Sequence, residues 1–444
     1  MKKVITYGTF DLFHEGHYNI LKRAKEQGDY LIVGVTSENY DKSRGKLNVK
    51  QSLVERIENV KKSGFANQII VEEYMGQKIE DIKKYKVDKF VIGSDWVGKF
   101  DYLNEYCEVI YLERTKGVSS TQLRNKERGI IKLGCVGCGR IAKRMCSESK
   151  YVSGINFDYV FGRDEEKVKR FAENNDLKYY STNYEEFLNE IDAVYIATPH
   201  LTHYEFAKKA LQEKKHVLCE KPITLEKKKT KELYKIAKEN GVVLYEAIKT
   251  AYAPAFIRLI ATAKSGIIGE IKDVDATFTK LMNDESLREF DKEQAGGSVT
   301  ELATYPLIAI LKLLGINYKE IDFFSYKGKK EVDLYTKIIL KYSNSIATAN
   351  IGLGVKKEGE LIISGTKGYI YVPAPWWKTD YFEIRFENPN IKERYFYKFE
   401  GDGLRYEVAE FLNSIVNKTE NIYLKEEESI IISEIIEKFR KNLK

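Results

Sequence analysis

IKLGCVGCGRIA, residues 131–142, is the stretch on which the fold turns. Ile131 to Val136 reads as a strand and Arg140 to Ser147 as a helix, with Gly137 and Gly139 in the tight turn between them. Gly137 makes the turn, Gly139 lets another group approach the backbone closely, and Ala142 lets the helix pack tightly. Strand, glycine turn and helix form the opening of a parallel α/β unit, and the chain on either side repeats it.

Downstream, Tyr159 to Phe161, Ala193 to Ala197 and His216 to Cys219 read as strands, alternating with helices at Glu165–Asn174 and His203–Glu213. Upstream, the strands are Val4–Tyr7, YLIVGV at 30–35, Gln68–Val71, Lys89–Ile92 and Val109–Leu112. Helices fall between them near 17–27, 52–62 and 77–84. The unbroken apolar run at 30–35 is expected where both faces of a sheet are covered. Between the two α/β runs the chain turns charged (LRNKERGIIK, 123–132), which marks a domain boundary. After about Ala255 the texture changes to longer candidate strands at 272–280, 331–342, 343–353, 360–364, 369–372 and 381–386. Gly365-Thr-Lys-Gly368 is a turn joining two of them. Helices at 304–314, 404–416 and beyond Glu426 cover that sheet. The expected architecture is therefore α/β and α+β. A Rossmann-like domain spans 1–128, a dinucleotide-binding Rossmann domain 129–253, and an α+β domain with a large open antiparallel sheet 254–444.

With 444 residues, 43% hydrophobic and 31% charged, the chain has material for about three cores. Its 30 glycines and 7 prolines are too few and scattered for a fibrous or disordered protein. Met1-Lys2-Lys3 leads straight into a strand, and no apolar run approaches about 18 residues. A cytoplasmic protein with no leader and no membrane insertion is expected. A net charge of +7, spread through Lys–Glu mixtures, suits anionic small substrates and argues against a nucleic-acid partner. Five cysteines, an odd number, fit a reducing compartment. Cys135 and Cys138 lack a second ligand pair, so zinc is not expected there.

Gly8-Thr-Phe-Asp-Leu-Phe-His14-Glu-Gly-His17 follows a strand and opens a helix. Free N–H groups at such a mouth favour a phosphate, and His14 and His17, three apart, can face one ligand. These residues resemble the HxGH nucleotidyltransferase superfamily, and within it the glycerol-3-phosphate cytidylyltransferases. The resemblance runs over about 1–125. It continues in Arg56 and its helix, in GSDWVGKF (93–100) and in RTKGVSST (114–121). It implies attack by a substrate phosphate on the α-phosphate of CTP, with release of pyrophosphate. His14 and His17 would then donate to the triphosphate, and Lys46 and Arg114 would neutralise charge. The loop near 40–49 is one residue longer than the family's, which leaves Lys42, Arg44 and Lys46 as alternatives. Ser119, Ser120 and Thr121 would hold the β- and γ-phosphates. Gly8, Thr9, Phe10, Arg56, Asp95 and Trp96 would line the nucleotide or acceptor pocket, and Mg²⁺ would accompany CTP.

Gly137-Cys138-Gly139-Arg140-Ile141-Ala142, between strand and helix, is a dinucleotide fingerprint that places NAD or NADP there. Arg163 at the end of the next strand favours NADP, and the adjacent Asp164 leaves NAD open. Thr198-Pro199-His200-Leu-Thr-His203 and Cys219-Glu220-Lys221-Pro222 resemble the glucose-fructose oxidoreductase/inositol dehydrogenase (Gfo/Idh/MocA) family. The resemblance covers 132 to the C-terminus. It implies that Lys221 touches the reacting hydroxyl or carbonyl, with Thr198, Pro199 and Glu220 near the cofactor. GGSVTELATYP (296–306) matches the family's substrate-facing helix and offers Thr300, Glu301 and Tyr305. Many members carry aspartate and histidine where this chain has Glu301 and Tyr305. Lys249 and Tyr252 would also approach substrate, while His200 and His203 would either contact it or cap a helix.

The two resemblances together imply a bifunctional enzyme that reduces a keto or aldehydo sugar phosphate, or its CDP-linked form. It would also join CMP to a polyol phosphate, giving CDP-glycerol, CDP-ribitol or a similar CDP-polyol for polymer or capsule synthesis. A cytidylyltransferase whose second half only binds or dimerises is the alternative. The family's sheet often forms subunit interfaces, so a homo-oligomer is expected.

Overall fold

Unbroken apolar runs become parallel strands covered on both faces. The computed structural model describes residues 1–37, 40–41, 49, 51–74, 76–113 and 130–442. The described chain divides into two compact units, Met1–Ile130 with Tyr151–Gly154, and Ile131–Lys150 with Ile155–Lys444. In the first, β1 (Lys3–Gly8), β2 (Tyr30–Thr36), β3 (Gln68–Glu72), β4 (Lys89–Gly93) and β5 (Glu108–Leu112) form one sheet. Its order is β3-β2-β1-β4-β5, and every pairing is parallel. Leu31, Ile32, Val33 and Val35 of β2 are fully buried. Each such side chain contributes roughly 1.5–3 kcal/mol through burial. Strand order reverses between β1 and β4, so a crevice opens at their carboxyl ends, where ligands bind in such sheets.

The second unit begins with six parallel strands, β6 (Ile131–Val136), β7 (Ile155–Phe161), β8 (Tyr179–Ser181), β9 (Ala193–Ile196), β10 (His216–Glu220) and β11 (Leu244–Ala247). Their order, β11-β10-β9-β6-β7-β8, reverses between β6 and β9. The helix Lys227–Asn240 between β10 and β11 is hidden in the lysine-rich run KKKTKELYKIAKEN, whose buried face is Thr230, Leu233, Tyr234 and Ala237. Four inward positions at helical spacing suffice, because the long lysine side chains occupy the solvent side.

Eight further strands follow: β12 (Ile271–Thr279), β13 (Glu320–Lys327), β14 (Asp333–Lys341), β15 (Ile346–Gly352), β16 (Leu361–Gly365), β17 (Gly368–Val372), β18 (Tyr381–Phe386) and β19 (Lys392–Phe396). They lie in the order β13-β14-β15-β12-β16-β17-β18-β19. The expected antiparallel sheet is mixed: β12 and β15 run parallel, and the other pairs are antiparallel. The Gly365–Gly368 turn joins β16 to β17 as expected. Val274, Ala276, Ile338, Leu340, Ile363, Ile370 and Ile384 fill the inner face, and the helix Thr304–Leu314 packs against β12 and β15 on it. The edge strands β13 and β19 do not show in the hydrophobic pattern because little of either is buried; Phe324, Tyr326 and Phe396 are exposed. Among the described residues no helix is long and apolar enough to cross a membrane.

Candidate active sites

The first site forms at the β1–β4 reversal. The helix Glu15–Lys25 starts just after β1, and His14 is its N-cap, its Nδ1 accepting from Gly16 N at 3.0 Å. An accepting Nδ1 places the imidazole proton on Nε2, so His14 presents a donor. His17, one turn on, stacks on His14 with ring centroids 3.8 Å apart and is walled by Phe10 and Phe13 at 5.4 and 5.6 Å. The two imidazoles therefore share one face of the helix mouth. Asp95 and Trp96 come from the short 3₁₀ turn Ser94–Trp96 directly after β4. Asp95 is exposed, and Lys99 stands 5.0 Å over the Trp96 ring.

Other residues assigned to the nucleotide pocket turn inward. Phe10 is 2% exposed, and a Cβ at Gly8 would meet its ring at 2.9 Å. Gly8 is therefore required by the packing of Phe10. Thr9 Oγ1 donates to Asp41 Oδ1 at 3.0 Å. Arg56 is fully buried, with Nη1 on Thr9 O (2.9 Å), Thr36 O (2.8 Å) and Asp41 Oδ2 (3.2 Å). With no exposed surface, Arg56 fastens the loop after β1 from behind. Lys46, Arg114, Ser119, Ser120 and Thr121 lie outside the described residues, as do the alternatives Lys42 and Arg44.

The second site forms at the β6–β9 reversal. Gly137 has φ +110°, and a Cβ there would lie 2.7 Å from Ala197 O, so the chain itself requires glycine. At Gly139 a Cβ would meet nothing nearer than Ala197 O at 4.0 Å. The protein leaves that space open in front of the helix Arg140–Ser149, whose N-cap has no side-chain hydrogen bond. An uncapped helix N-terminus facing open backbone fits a diphosphate. Cys138 and Ile141 are half-buried beside this turn, and Ala142 is fully buried under it. Arg163 is exposed at the end of β7, whereas Asp164 caps the next helix by accepting from Lys167 N at 3.0 Å.

Lys221, just past β10, donates from Nζ to Glu301 O at 2.7 Å and stands 5.7 Å over the Tyr305 ring. Tyr305 in turn lies against Phe278 at 5.1 Å. Burial pushes the Tyr305 phenol well above its usual range. Glu220 is buried and accepts from the Tyr195 hydroxyl at 2.5 Å. Burial raises its carboxyl above the usual range, with Lys221 opposing the shift. Arg288 pairs with the Glu301 carboxylate at 2.9 Å, which fixes the helix end whose carbonyl holds Lys221. Lys249 is buried and donates to Asp402 O at 2.6 Å; burial, then Lys378, lowers its pKa. Asp402 also takes Lys378 at 3.0 Å and Arg144 at 3.7 Å.

Two residues assigned to substrate have their hydroxyls bonded within the protein. Thr300 is 2% exposed and its hydroxyl donates to Ala295 O at 2.7 Å, closing the glycine turn. The Tyr252 hydroxyl donates to Glu246 O at 3.3 Å and receives Asn421 at 2.9 Å, deep in the core. His203 braces two loops, with Nδ1 2.9 Å from Pro222 O and Nε2 2.8 Å from Thr198 O. His200 stands 3.7 Å from Glu301. Burial holds its imidazole far below the usual pKa, so the contact is not an ion pair. Trp376 is fully buried and donates to Thr277 O at 2.7 Å, while Trp377 stacks on Phe278 at 3.8 Å. Sequence reasoning missed Arg288, Asp402 and Arg144; Arg144 lies on the helix Arg140–Ser149 that the glycine turn opens, but its pairing with Asp402, like that of Arg288 with Glu301, arises only through packing. Among the described residues no group of three or more His, Cys, Asp or Glu side chains is placed to hold a metal ion.

Fold and sites define a chain with two nucleotide-handling centres on separate parallel sheets. It belongs to the cytidylyltransferase-like family over residues 5–126, fused to an oxidoreductase of the GFO/IDH/MocA family. The latter matches an NAD-binding Rossmann fold over 131–248 and a GFO/IDH/MocA C-terminal domain over 256–371. The first part is 52% identical over 129 residues to a glycerol-3-phosphate cytidylyltransferase of Bacillus spizizenii, covering 28% of this chain and 95% of that protein. The remainder is 26% identical over 324 residues to scyllo-inositol 2-dehydrogenase (NADP(+)) IolU of Bacillus subtilis, covering 71% and 97%. It shares the fold of a 3-ketoreductase from Actinomadura kijaniata in complex with NADP and TDP-benzene, with TM-score 0.61, 21% identity and coverage of 69% and 95%. The chain thus carries both a nucleotidyltransferase-like and an NAD(P)-dependent oxidoreductase-like domain.

Proposed function

We propose that this chain is a bifunctional enzyme making a CDP-polyol, such as CDP-glycerol or CDP-ribitol. One centre reduces a keto or aldehydo sugar phosphate, or its CDP-linked form, with NAD(P)H; the other transfers CMP from CTP. The observation that carries this reading is the Lys221 ammonium, fixed between the Glu301 carbonyl and the Tyr305 ring in one unit, while two stacked histidines occupy a helix mouth in the other.

In cytidylyl transfer a phosphate oxygen of the acceptor bonds to the α-phosphorus of Mg²⁺-bound CTP, and the α–β bridging bond breaks to release pyrophosphate. Charge grows on the α-phosphate oxygens, where the His14 Nε2–H and His17 donate. Lys46, Arg114 and Ser119 to Thr121 complete this centre, with Asp95 and Trp96 beside the nucleotide.

When bound, the nicotinamide supplies hydride to a carbonyl. Gly137 and Gly139 with the following helix would hold its diphosphate, and Arg163 the 2′-phosphate of NADP. Lys221 donates to the substrate oxygen as negative charge develops there, and Tyr305 supports that ammonium. Arg144 and Lys378 share the single carboxylate of Asp402 and Lys249 donates to its backbone carbonyl, which leaves positive charge for a phosphate of the substrate. A homo-oligomer through the outer sheet face, where Phe324 and Tyr326 are exposed, belongs to this reading. Sedimentation as a monomer would remove that part.

The deciding experiment follows pyrophosphate release from CTP and Mg²⁺ against polyol phosphates and their oxidised precursors, with and without NADPH or NADH. Release with glycerol or pentitol phosphate alone places cytidylyl transfer after reduction. Release from a carbonyl phosphate without cofactor makes the CDP-linked carbonyl compound the reductase substrate. Pyrophosphate release with no NAD(P)H bound or consumed would reduce the second half to a binding module. Arg163→Ala is expected to raise the KM for NADPH about tenfold or more, the loss of a charge-assisted contact, and to leave NADH unchanged. Equal effects on both cofactors would place the 2′-phosphate elsewhere.

A further inference from the structure

Segments distant in sequence meet at Asp402. Lys249 donates from Nζ to its backbone carbonyl at 2.6 Å, Lys378 pairs with its carboxylate at 3.0 Å, and Arg144 stands 3.7 Å from the same carboxylate. The glycines on either side of Asp402 have positive φ, +58° at Gly401 and +82° at Gly403. A Cβ at Gly401 would collide with Glu148 Oε1, and Glu148 is gripped by Arg405 through Nε at 3.0 Å and Nη2 at 2.8 Å. This ion pair pins the turn to the helix Arg140–Ser149, which also carries Arg144, so the place of Asp402 is fixed by the backbone.

Three cations thus share one carboxylate. Lys249 is buried, and its hydrogen bond goes to a neutral carbonyl. A buried ammonium is costly without a negative charge in contact. Glu407 and Glu220 lie in its field, but burial raises the pKa of both, so neither is a ready counter-ion. At 3.7 Å Arg144 is beyond hydrogen-bond reach of Asp402, and its side chain is half exposed. Lys378 and Asp402 are partly exposed, so a ligand has access to the group.

An aromatic wall joins these cations to the reacting centre. Tyr305, beneath the Lys221 ammonium, packs on Phe278 at 5.1 Å, and Phe278 stacks on Trp377 at 3.8 Å, next in sequence to Lys378. Thr250 Oγ1 donates to Trp377 O at 2.8 Å and ties the turn that begins at Lys249 to the same wall.

The geometry points to a terminal phosphate site made by Arg144, Lys249 and Lys378, with Asp402 as the resident anion that holds them when no substrate is bound. The carbonyl substrate is accordingly a free phosphomonoester and not a CDP-linked compound. This rests on the reductase reading above and chooses between its two substrates. A phosphomonoester carries about −1.5 to −2 at pH 7, close to the two positive charges left after Asp402 is counted. It also offers three terminal oxygens at one phosphorus to three cations converging on one residue. Each phosphorus of a CDP linkage offers two, because its other oxygens continue the chain.

The test titrates inorganic phosphate into the full chain by calorimetry, with NADPH, CTP and Mg²⁺ present so that both nucleotide sites are occupied. Phosphate should bind about tenfold or more weakly in Lys378→Met and in Arg144→Met, each having lost a charge-assisted contact. In Asp402→Asn, which keeps the carbonyl under Lys249, it should bind about threefold or more tightly, because the competing carboxylate is gone. In reduction, Lys378→Met should raise the KM for a phosphorylated carbonyl compound about tenfold or more, with kcat nearly unchanged, since the phosphate contact is made equally in ground and transition states. The KM for its unphosphorylated counterpart should not move. Phosphate binding unmoved in Lys378→Met and Arg144→Met, or weakened in Asp402→Asn, overturns this inference alone. So does reduction of the CDP-linked carbonyl compound with a kcat/KM equal to or above that of the monoester. A chain that binds NADPH yet reduces nothing in the panel overturns the reductase reading, and with it the substrate assigned here.

Discussion

Lys221→Met is expected to cut kcat for carbonyl reduction by about 10²–10⁴-fold while leaving cytidylyl transfer unchanged. Hydride addition turns a neutral carbonyl oxygen into an alkoxide. In a pocket with low dielectric that charge is costly unless a fixed donor already faces it. Lys221 meets this need because its ammonium is held at 2.7 Å by the Glu301 carbonyl and lies over the Tyr305 ring. A cation within about 6 Å of an aromatic face is stabilised without losing its donors to water. Methionine keeps the volume and removes both the charge and the proton. Arginine should not rescue, since its planar fork cannot replace a compact ammonium at one carbonyl oxygen. NADPH binding, followed by fluorescence, should persist in the variant. A folded Lys221→Met protein that still reduces its substrate would remove Lys221 from the chemistry. Loss of both activities would break the two-centre model.

The mirror experiment is His17→Ala, expected to lower kcat for cytidylyl transfer by about 10²–10³-fold, with reduction unchanged. His17 is held between Phe10 and Phe13 and stacked on His14, so its imidazole reaches the helix mouth in one orientation. Such a preset donor matters most where charge is growing, on the α-phosphate oxygens, and least for bound CTP. The loss should therefore fall on kcat more than on the KM for CTP. His17→Asn, which restores a donor at shorter reach, should recover part of the rate. A large rise in KM with kcat intact would make His17 a binding group only.

The histidine pair was legible in the sequence because three-residue spacing at a strand-to-helix junction fixes one shared face. Lys221 was singled out through the resemblance carried by Cys219-Glu220-Lys221-Pro222, and it stands just past β10. Arg56, Thr300 and Tyr252, assigned through the resemblances, are buried, and the contacts that hold them are not legible in the sequence. Arg56 Nη1 bonds Thr9 O, the Thr300 hydroxyl bonds Ala295 O and the Tyr252 hydroxyl receives Asn421, contacts that adjacency to a motif does not reveal.

By itself, the sequence determined the parallel α/β units, the two glycine-bearing turns and the residues at the ends of β1, β6 and β10. Those features depend on periodicity and on backbone space within a dozen residues. Only the tertiary structure decided that β12 pairs parallel with β15, that exposed β13 and β19 extend the sheet, and that Lys221 rests on a carbonyl 80 residues away. Spacing sets which face a side chain takes, but burial and partnership arise when distant elements pack, and that packing is what sets charge and reactivity.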